Sequence, residues 1–279
     1  VGLLSSRLTI EAPIIKERAS FLISGRRTYI DQVFKAFGTP LPYYFYDFNA
    51  KLNYKLSDRD RLFFSAYFGD DVLAYEERVE GESVAENFDL GFGFQLGNFT
   101  QTLRWNHIFH PKLFANFSFI HTSFNYDIRG DIDNNSVLIQ SEIRDLGAKL
   151  DFTHYLSENT QLRFGLQSIW HRFRPNILSA QGIIADFIDN RAGVFLNTPE
   201  LALYGNYEFQ ATEKVKLNGG LRLTGAVVKN RVYANPEPRL SGSYQLNDRQ
   251  SLKLSYSRMS QYMPHVSRSE ETTVEPQAT

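Results

Sequence analysis

The chain has 279 residues, with 30 Lys and Arg against 31 Asp and Glu, so its formal net charge is −1. Charge this balanced and dispersed gives no electrostatic footprint for nucleic acid, and the absence of Cys excludes disulfides, thiolate metal sites and cysteine nucleophiles. Apolar residues reach only 42%, yet 23 Phe and 15 Tyr give a strand-rich profile, and no window of about 18 apolar residues offers a membrane-spanning helix. A transmembrane β-barrel stays open, because its strands alternate apolar and polar side chains and average to a soluble hydropathy. The start at Val1 shows no basic stretch followed by an apolar run, so the sequence reads as a mature segment or as a cytosolic chain.

Period two is clearest from Asp47 to Leu56, where Phe48, Ala50, Leu52, Tyr54 and Leu56 alternate with Asp47, Asn49, Lys51, Asn53 and Lys55. Ser57-Asp58-Arg59-Asp60 then reads as a turn, and Leu62, Phe64, Ala66 and Phe68 resume the alternation, which predicts a hairpin. Between Phe88 and Phe109 the apolar phase slips near Gly97-Asn98, which predicts a β-bulge in one long strand whose partner starts after His110-Pro111-Lys112. Leu146 to Phe152 and Leu162 to Leu166 flank Ser157-Glu158-Asn159-Thr160 in the same way. The rows Leu201 to Phe209 and Val215 to Leu223 form a further unit, and Leu240 to Leu246 with Leu252 to Tyr256 form the last.

The pattern predicts roughly twelve strands of about ten residues. Short turns fall at 13–17, 57–60, 110–112, 156–160, 210–213 and 247–250, and longer polar or mixed segments at 30–43, 70–86, 128–142 and 175–199. Alternation alone does not separate a soluble sandwich from a membrane barrel. Segregation of all short turns to one end does, because periplasmic turns are short and extracellular loops long. The expected fold is therefore all-β, an antiparallel up-and-down transmembrane barrel.

Three segments carry a resemblance. GLLSSRLTIEAPIIKERASFLISGRRTY (2–29), LRWNHIFHPKLFANFSF (103–119) and EPRLSGSYQLNDRQSLKLSYSRMSQY (237–262) resemble barrel strands of TonB-dependent outer-membrane receptors, particularly Bacteroidota members with a carboxypeptidase-regulatory-like extension. The resemblance runs nearly the whole chain and rests on strand and turn sequences, not on a chemical signature. It implies part of one barrel domain over 1–279, roughly twelve of about twenty-two strands, opening in the first barrel strand and ending at 269–279 in an extracellular loop. It further implies a plug domain and C-terminal strands outside this sequence, a TonB complex acting through the plug, and energised uptake of a siderophore, vitamin, glycan or peptide across the outer membrane of a Gram-negative bacterium. Outer-membrane lipid and lipopolysaccharide are the expected surroundings. A surface lipoprotein lid suits glycan or peptide importers, though nothing in these segments requires one. The alternatives are a passive porin-like or structural outer-membrane barrel without energy coupling, which a closed twelve-stranded barrel would suit, and a soluble carbohydrate-binding β-sandwich.

No nucleophile motif, phosphate loop or HExxH is present, so the chain is read as a non-enzyme without catalytic residues, metal or cofactor. His107 and His110 sit at a strand foot, where interfacial packing is the expected role. Asp131 to Asn135 with Glu142 has oxygen donors at calcium-loop spacing, but Ser136 stands where that loop needs Gly. The candidate ligand-contacting residues at the extracellular rim are Arg26, Tyr67, Asp70, Asp127 and Arg129, with Arg26 on the inward parity of Ser24 and Thr28. For Arg26, Arg27, Arg129, Arg172 and Arg174, contact with lipopolysaccharide headgroups is weighed against ligand capture. Lower in the lumen, Lys51, Asn53, Asp89, Lys149, Asp151, Arg163, Glu208 and Arg222 are the expected plug-facing residues.

Overall fold

The computed structural model describes residues 2, 4–38, 42–80, 88–187, 195–228, 231–266 and 272–278. Twelve strands form one sheet in sequence order, each antiparallel to the next: β1 (Ser5–Ile15), β2 (Ala19–Thr28), β3 (Tyr43–Lys55), β4 (Asp60–Val79), β5 (Phe88–His110), β6 (Leu113–Ile132), β7 (Asn135–Ser157), β8 (Thr160–Gln181), β9 (Leu196–Gln210), β10 (Val215–Val228), β11 (Arg231–Asn247) and β12 (Gln250–Ser257). A separate hairpin pairs β13 (Ser260–Val266) with β14 (Thr272–Ala278), so the segment expected to end in a loop is largely strand. Among the described residues one α-helix, α1 (Ile30–Ala36), lies between β2 and β3, and a 3-10 turn, Ile183–Asp186, follows β8.

The short turns share a local cause. Ser57, Ser157, Thr212 and Asn247 each accept a backbone N–H from two residues on with their side-chain oxygen, at 3.1, 3.3, 3.2 and 2.9 Å. This closes a turn without help from the rest of the fold. At the first of them Asp60 accepts from the Ser57 hydroxyl at 2.7 Å and lies 2.6 Å from His107 Nδ1. These contacts, the Ser57 bond first, pull its carboxyl down to about 2.

The opposite end departs from expectation. Segments 70–86 and 128–142 were expected to be loops, yet β4 pairs with β5 up to Val79↔Phe88 and β6 with β7 up to Ile132↔Asn135, leaving Asp133-Asn134 as the turn. Strands there reach 23 residues, more than twice the expected length. Asp133 takes a left-handed φ of 50°, which Asp tolerates better than most residues. The expected bulge at Gly97-Asn98 is not formed, for both flanking strands pair through it without a register shift.

Register makes the phase slip meaningful. Residues paired across a ladder share a face, so the row Leu52, Phe64, Leu103, Phe119 is on one side, and the row Lys51, Ser65, Thr102, Ile120 on the other. Above Gly97 the same sides hold the opposite chemistry. The lumen side carries Phe92, Phe94, Phe124, Tyr126 and Ile128, while the outer side carries Gly93, Gln95, Asn125, Asp127 and Arg129. Inside hydrocarbon the outer side must be apolar; beyond it that side meets water and headgroups, so the pattern reverses without any extra residue.

The sheet is one layer with no conventional core. Among the described residues the buried apolar side chains are all Ala (Ala19, Ala115, Ala180, Ala202 and Ala226), while Leu203 is 57% and Leu254 80% exposed. A soluble sandwich would bury these large side chains between two layers. Here they form an outward band about nine residues tall, for example Leu162 to Trp170 on β8 and Leu201 to Phe209 on β9, the length of a tilted strand crossing a bilayer. Aromatic rings mark its lower rim: Trp105 stacks on Phe117 at 5.0 Å, Phe152 on Phe164 at 5.0 Å, and His107 meets Phe109 edge-on at 4.5 Å.

These 279 residues contain no Cys, so single cysteines placed in them, in a full-length protein with any cysteine elsewhere replaced, test this directly. Labels at Phe119 and Leu203 should be relaxed by lipid-soluble oxygen, and labels at Ser118, Ala202 and Asp127 by a water-soluble nickel complex. Aqueous exposure of Phe119 and Leu203 would contradict the outward band.

Candidate functional site

The polar face is built by strand parity, and it is continuous. A trough of about 730 Å3 runs across β1 to β7, lined by Glu11, Ser20, Lys51, Asn53, Arg104, Asn116, Lys149 and Asp151. It brings together four of the expected lumen residues, Lys51, Asn53, Lys149 and Asp151. Arg163, Glu208 and Arg222 share the same face further round the sheet, by the pairs Thr153↔Arg163, Gln161↔Glu208 and Gln167↔Lys149 with the cross-strand contact of Arg222. Asp89 does not join them: it pairs with Arg78 and lies on the outer side, in the reversed upper part of β5.

These charges are cross-linked. Lys149 Nζ lies 2.9 Å from Asp151 Oδ1, Lys216 Nζ 2.5 Å from Glu208 Oε1, and Arg163 3.9 Å from the same carboxylate. Arg222 donates to Gln167 Oε1 at 2.9 Å, reaching across β9, and the Tyr204 hydroxyl donates to Asp151 across β8. Contacts that skip a strand require the polar face to be the concave one. Gly165 permits the second of them, since a Cβ there would come within 2.5 Å of the Tyr204 hydroxyl and 2.2 Å of Leu150 O.

Among the expected rim residues only Arg26 and Tyr67 face inward. Arg26 Nε lies 2.5 Å from Asp47, which is 8% exposed, and Tyr67 pairs with Asn49 and Thr100 on the lumen side. Asp70 falls on the outer side and accepts from the Tyr46 hydroxyl at 2.8 Å. Asp127 and Arg129 are also outward, holding Gln140 at 3.2 Å and Asp131 at 2.9 Å. The oxygen donors at calcium-loop spacing separate: Asp133 caps the turn by accepting from Asp89 N at 2.8 Å, Asp131 takes Arg129, and Glu142 lies down the strand opposite Asn125. Among the described residues no cluster of three or more His, Asp or Glu could hold a metal ion.

Two arrangements escaped sequence reasoning. Glu237, 3% exposed, is reached by Thr224 Oγ1 at 3.2 Å, Ser260 N at 3.1 Å, Arg239 at 3.4 Å and Arg222 at 3.9 Å. Its sequence signal, Pro236-Glu237-Pro238, argues against a strand; the structure admits the prolines because that stretch of β11 pairs only with β10. Just above the band on the inward side, His171 Nδ1 lies 2.8 Å from Asp145 and its Nε2 3.6 Å from Glu200. The bond to Asp145, then Glu200, raises His171 to about 9.

Each gives a prediction. Replacing Glu237 with Ala removes the buried carboxylate that Arg222, Arg239, Thr224 and Ser260 N share, and because both arginines keep access to water the cost should be about 1–2 kcal/mol in urea unfolding from lipid vesicles; a loss under about 0.5 kcal/mol would contradict the network. A raised His pKa stabilises the fold fully below the unfolded value of about 6.5, and that gain disappears as pH rises through about 9. The stability gap between wild type and His171→Gln should therefore be widest at pH 6 and shrink by pH 10. A gap independent of pH would contradict the charged pair.

The comparisons agree with this geometry. The ferric enterobactin receptor of Pseudomonas aeruginosa superposes with a TM-score of 0.64 at 14% identity, over 92% of this chain and 41% of its own. The ferric yersiniabactin uptake receptor of Yersinia pestis gives 0.63 at 13%, over 98% and 47%. The FrpB iron transporter of Neisseria meningitidis gives 0.65 at 13%, over 93% and 44%. At such identity these establish a shared fold, and the chain spans less than half the length of each. No curated protein sequence matches it. The outer membrane protein beta-barrel family matches residues 112–269, more than half of the sequence. This chain therefore belongs to the outer membrane protein beta-barrel family, and its place is the outer membrane of a Gram-negative bacterium.

Proposed function

We propose that the chain forms part of the barrel of a TonB-energised importer that carries a scarce nutrient, such as a siderophore, vitamin, glycan or peptide, across the outer membrane. The observation that carries this reading is the continuous, charged, concave face. Lys51, Asn53, Lys149, Asp151 and Arg222 stand within the height of the apolar band and Arg163 and Glu208 at its lower edge, where a wide barrel needs polar groups to hold a plug by hydrogen bonds and ion pairs. The open sheet supports it as well: among the described residues β1 and β12 do not pair with each other, and hydrocarbon does not tolerate a bare strand edge.

In this reading the reaction is movement, with no bond made or broken by these residues. Ligand enters between the long hairpins of β4 to β7, past the inward aromatic wall of Phe92, Phe94 and Tyr126, and meets Arg26 and Tyr67 at the top of the polar section. The plug below closes the path until the TonB complex pulls on it. Asp70, Asp127 and Arg129, on the outer side, take no part in ligand capture.

The test is uptake in cells carrying the full-length protein. Collapse of the proton gradient should stop accumulation and leave surface binding intact. Flux that ignores the gradient would contradict energised import and identify a passive pore. The combined substitution K149A/D151A should loosen the plug and admit large antibiotics while surface binding persists; unchanged permeability would remove these residues from plug docking.

A further inference from the structure

Just above the apolar band, β7 and β8 place three arginines on the outer side of the sheet. Leu146 and Trp170 are the last apolar pair of the band, and the next outward pair is Arg144 with Arg172, directly opposite each other. One step higher Glu142 faces Arg174. Like charges facing across a ladder destabilise a sheet, and among the described residues Glu142 is the one carboxylate paired with this group, reaching two of its three guanidinium groups. Glu142 contacts Arg144 Nε and lies 3.7 Å from Arg174. Among the described residues no carboxylate pairs with Arg172; its guanidinium lies 3.7 Å from the centre of the Phe195 ring, and Arg174 shares that ring at 5.5 Å. Arg174 Nε is shielded from water and meets no acceptor among the described residues.

The neighbours extend the pattern. On the same side, Ser123 and Asn125 flank from β6 and Asn197 from β9, all neutral and able to hydrogen-bond. Asn197 also accepts from Trp170 Nε1 at 3.3 Å, fixing the indole at the boundary. One step higher Asp127 is also outward, bound to Gln140 at 3.2 Å, so three arginines face two carboxylates and one positive charge remains in excess. That excess, planar donors held by an aromatic ring and the flanking amides form a receptor for an oxyanion. Its outward parity denies it to a ligand in the lumen, and its height puts it level with the headgroups of the outer leaflet.

We propose that Arg144, Arg172 and Arg174 bind a phosphate of a phosphorylated glycolipid, the lipopolysaccharide of the outer leaflet. The glycolipid phosphate completes the charge balance that Glu142 leaves unfinished, and its acyl chains lie along Leu146, Trp170 and Leu201 below. This site is independent of whether the barrel is energised.

Native mass spectrometry of the full-length protein in detergent micelles tests it with three probes: lipid A bearing two phosphates, the same lipid A dephosphorylated, and inorganic pyrophosphate. The bisphosphorylated lipid should be retained at least about tenfold more tightly than the other two, and the R144S/R172S variant should lose about that factor. Equal retention of dephosphorylated lipid would overturn the proposal, as would pyrophosphate binding as tightly as lipid A, which assigns the arginines to a soluble anion. Undiminished binding by R144S/R172S, shown to be folded by its heat-dependent gel mobility, would overturn it too. The comparison of lipids uses wild-type protein, so it decides even if that variant does not fold, and Arg172→Lys supplies a milder change.

Discussion

A strand that crosses hydrocarbon has no water for its amides and carbonyls, so every one of them must be met by a neighbouring strand. That constraint explains why the register runs almost unbroken from β1 to β12 and why irregular backbone is confined to the two ends. It also explains why the chain can dispense with a core. Once the ladders fix the backbone, each side chain has only two places to go, and the alternation of Leu with Lys or Asn along a strand assigns them. Stability then comes from ladder hydrogen bonds, from burial of the outer band in lipid, and from charge networks such as those around Asp151, Glu208 and Glu237 on the concave side.

The reversal of chemistry along β4 to β7 follows from the same constraint meeting a different solvent. Within the bilayer the outer side is apolar and the inner side wet. Above it the outer side faces water, and apolar side chains collect inside, from Phe92 on β5 to Ile128 on β6. The backbone passes through this change without adjustment, because parity is a property of the strand and polarity a property of the surroundings. The arginines of β7 and β8 lie at the level where one regime gives way to the other. There a protein surface meets phosphate rather than acyl chain or bulk water.

The fold class, the hairpin order and the short-turn end were legible because they depend on local periodicity and on turn residues such as Ser57, Thr212 and Asn247, whose side chains act within three positions. The phase slip at Gly97-Asn98 was legible too, but its cause was not. A bulge and a change of solvent leave the same trace in one strand, and only the pairing of β5 with both neighbours separates them. The same ambiguity placed Asp89 in the lumen and made ligand contacts at the rim of Asp70, Asp127 and Arg129, where counting parity from the membrane-level rows through an unbroken strand puts all four outside. Glu237 and the trio of Asp145, His171 and Glu200 were hidden for another reason. Each draws its partners from different strands, and no single stretch of sequence shows which charges will share a height.

The central claim is that the outward row meets lipid, and the two tryptophans test it most directly. Trp105 and Trp170 both belong to that row, at the lower and upper rims of the band. In vesicles of lipids brominated at defined acyl depths, the emission lost on Trp105→Phe or Trp170→Phe should be quenched strongly by bromine near the headgroup and weakly by bromine at the bilayer centre. Emission insensitive to bromine at every depth would contradict a sheet whose apolar face lies in the membrane.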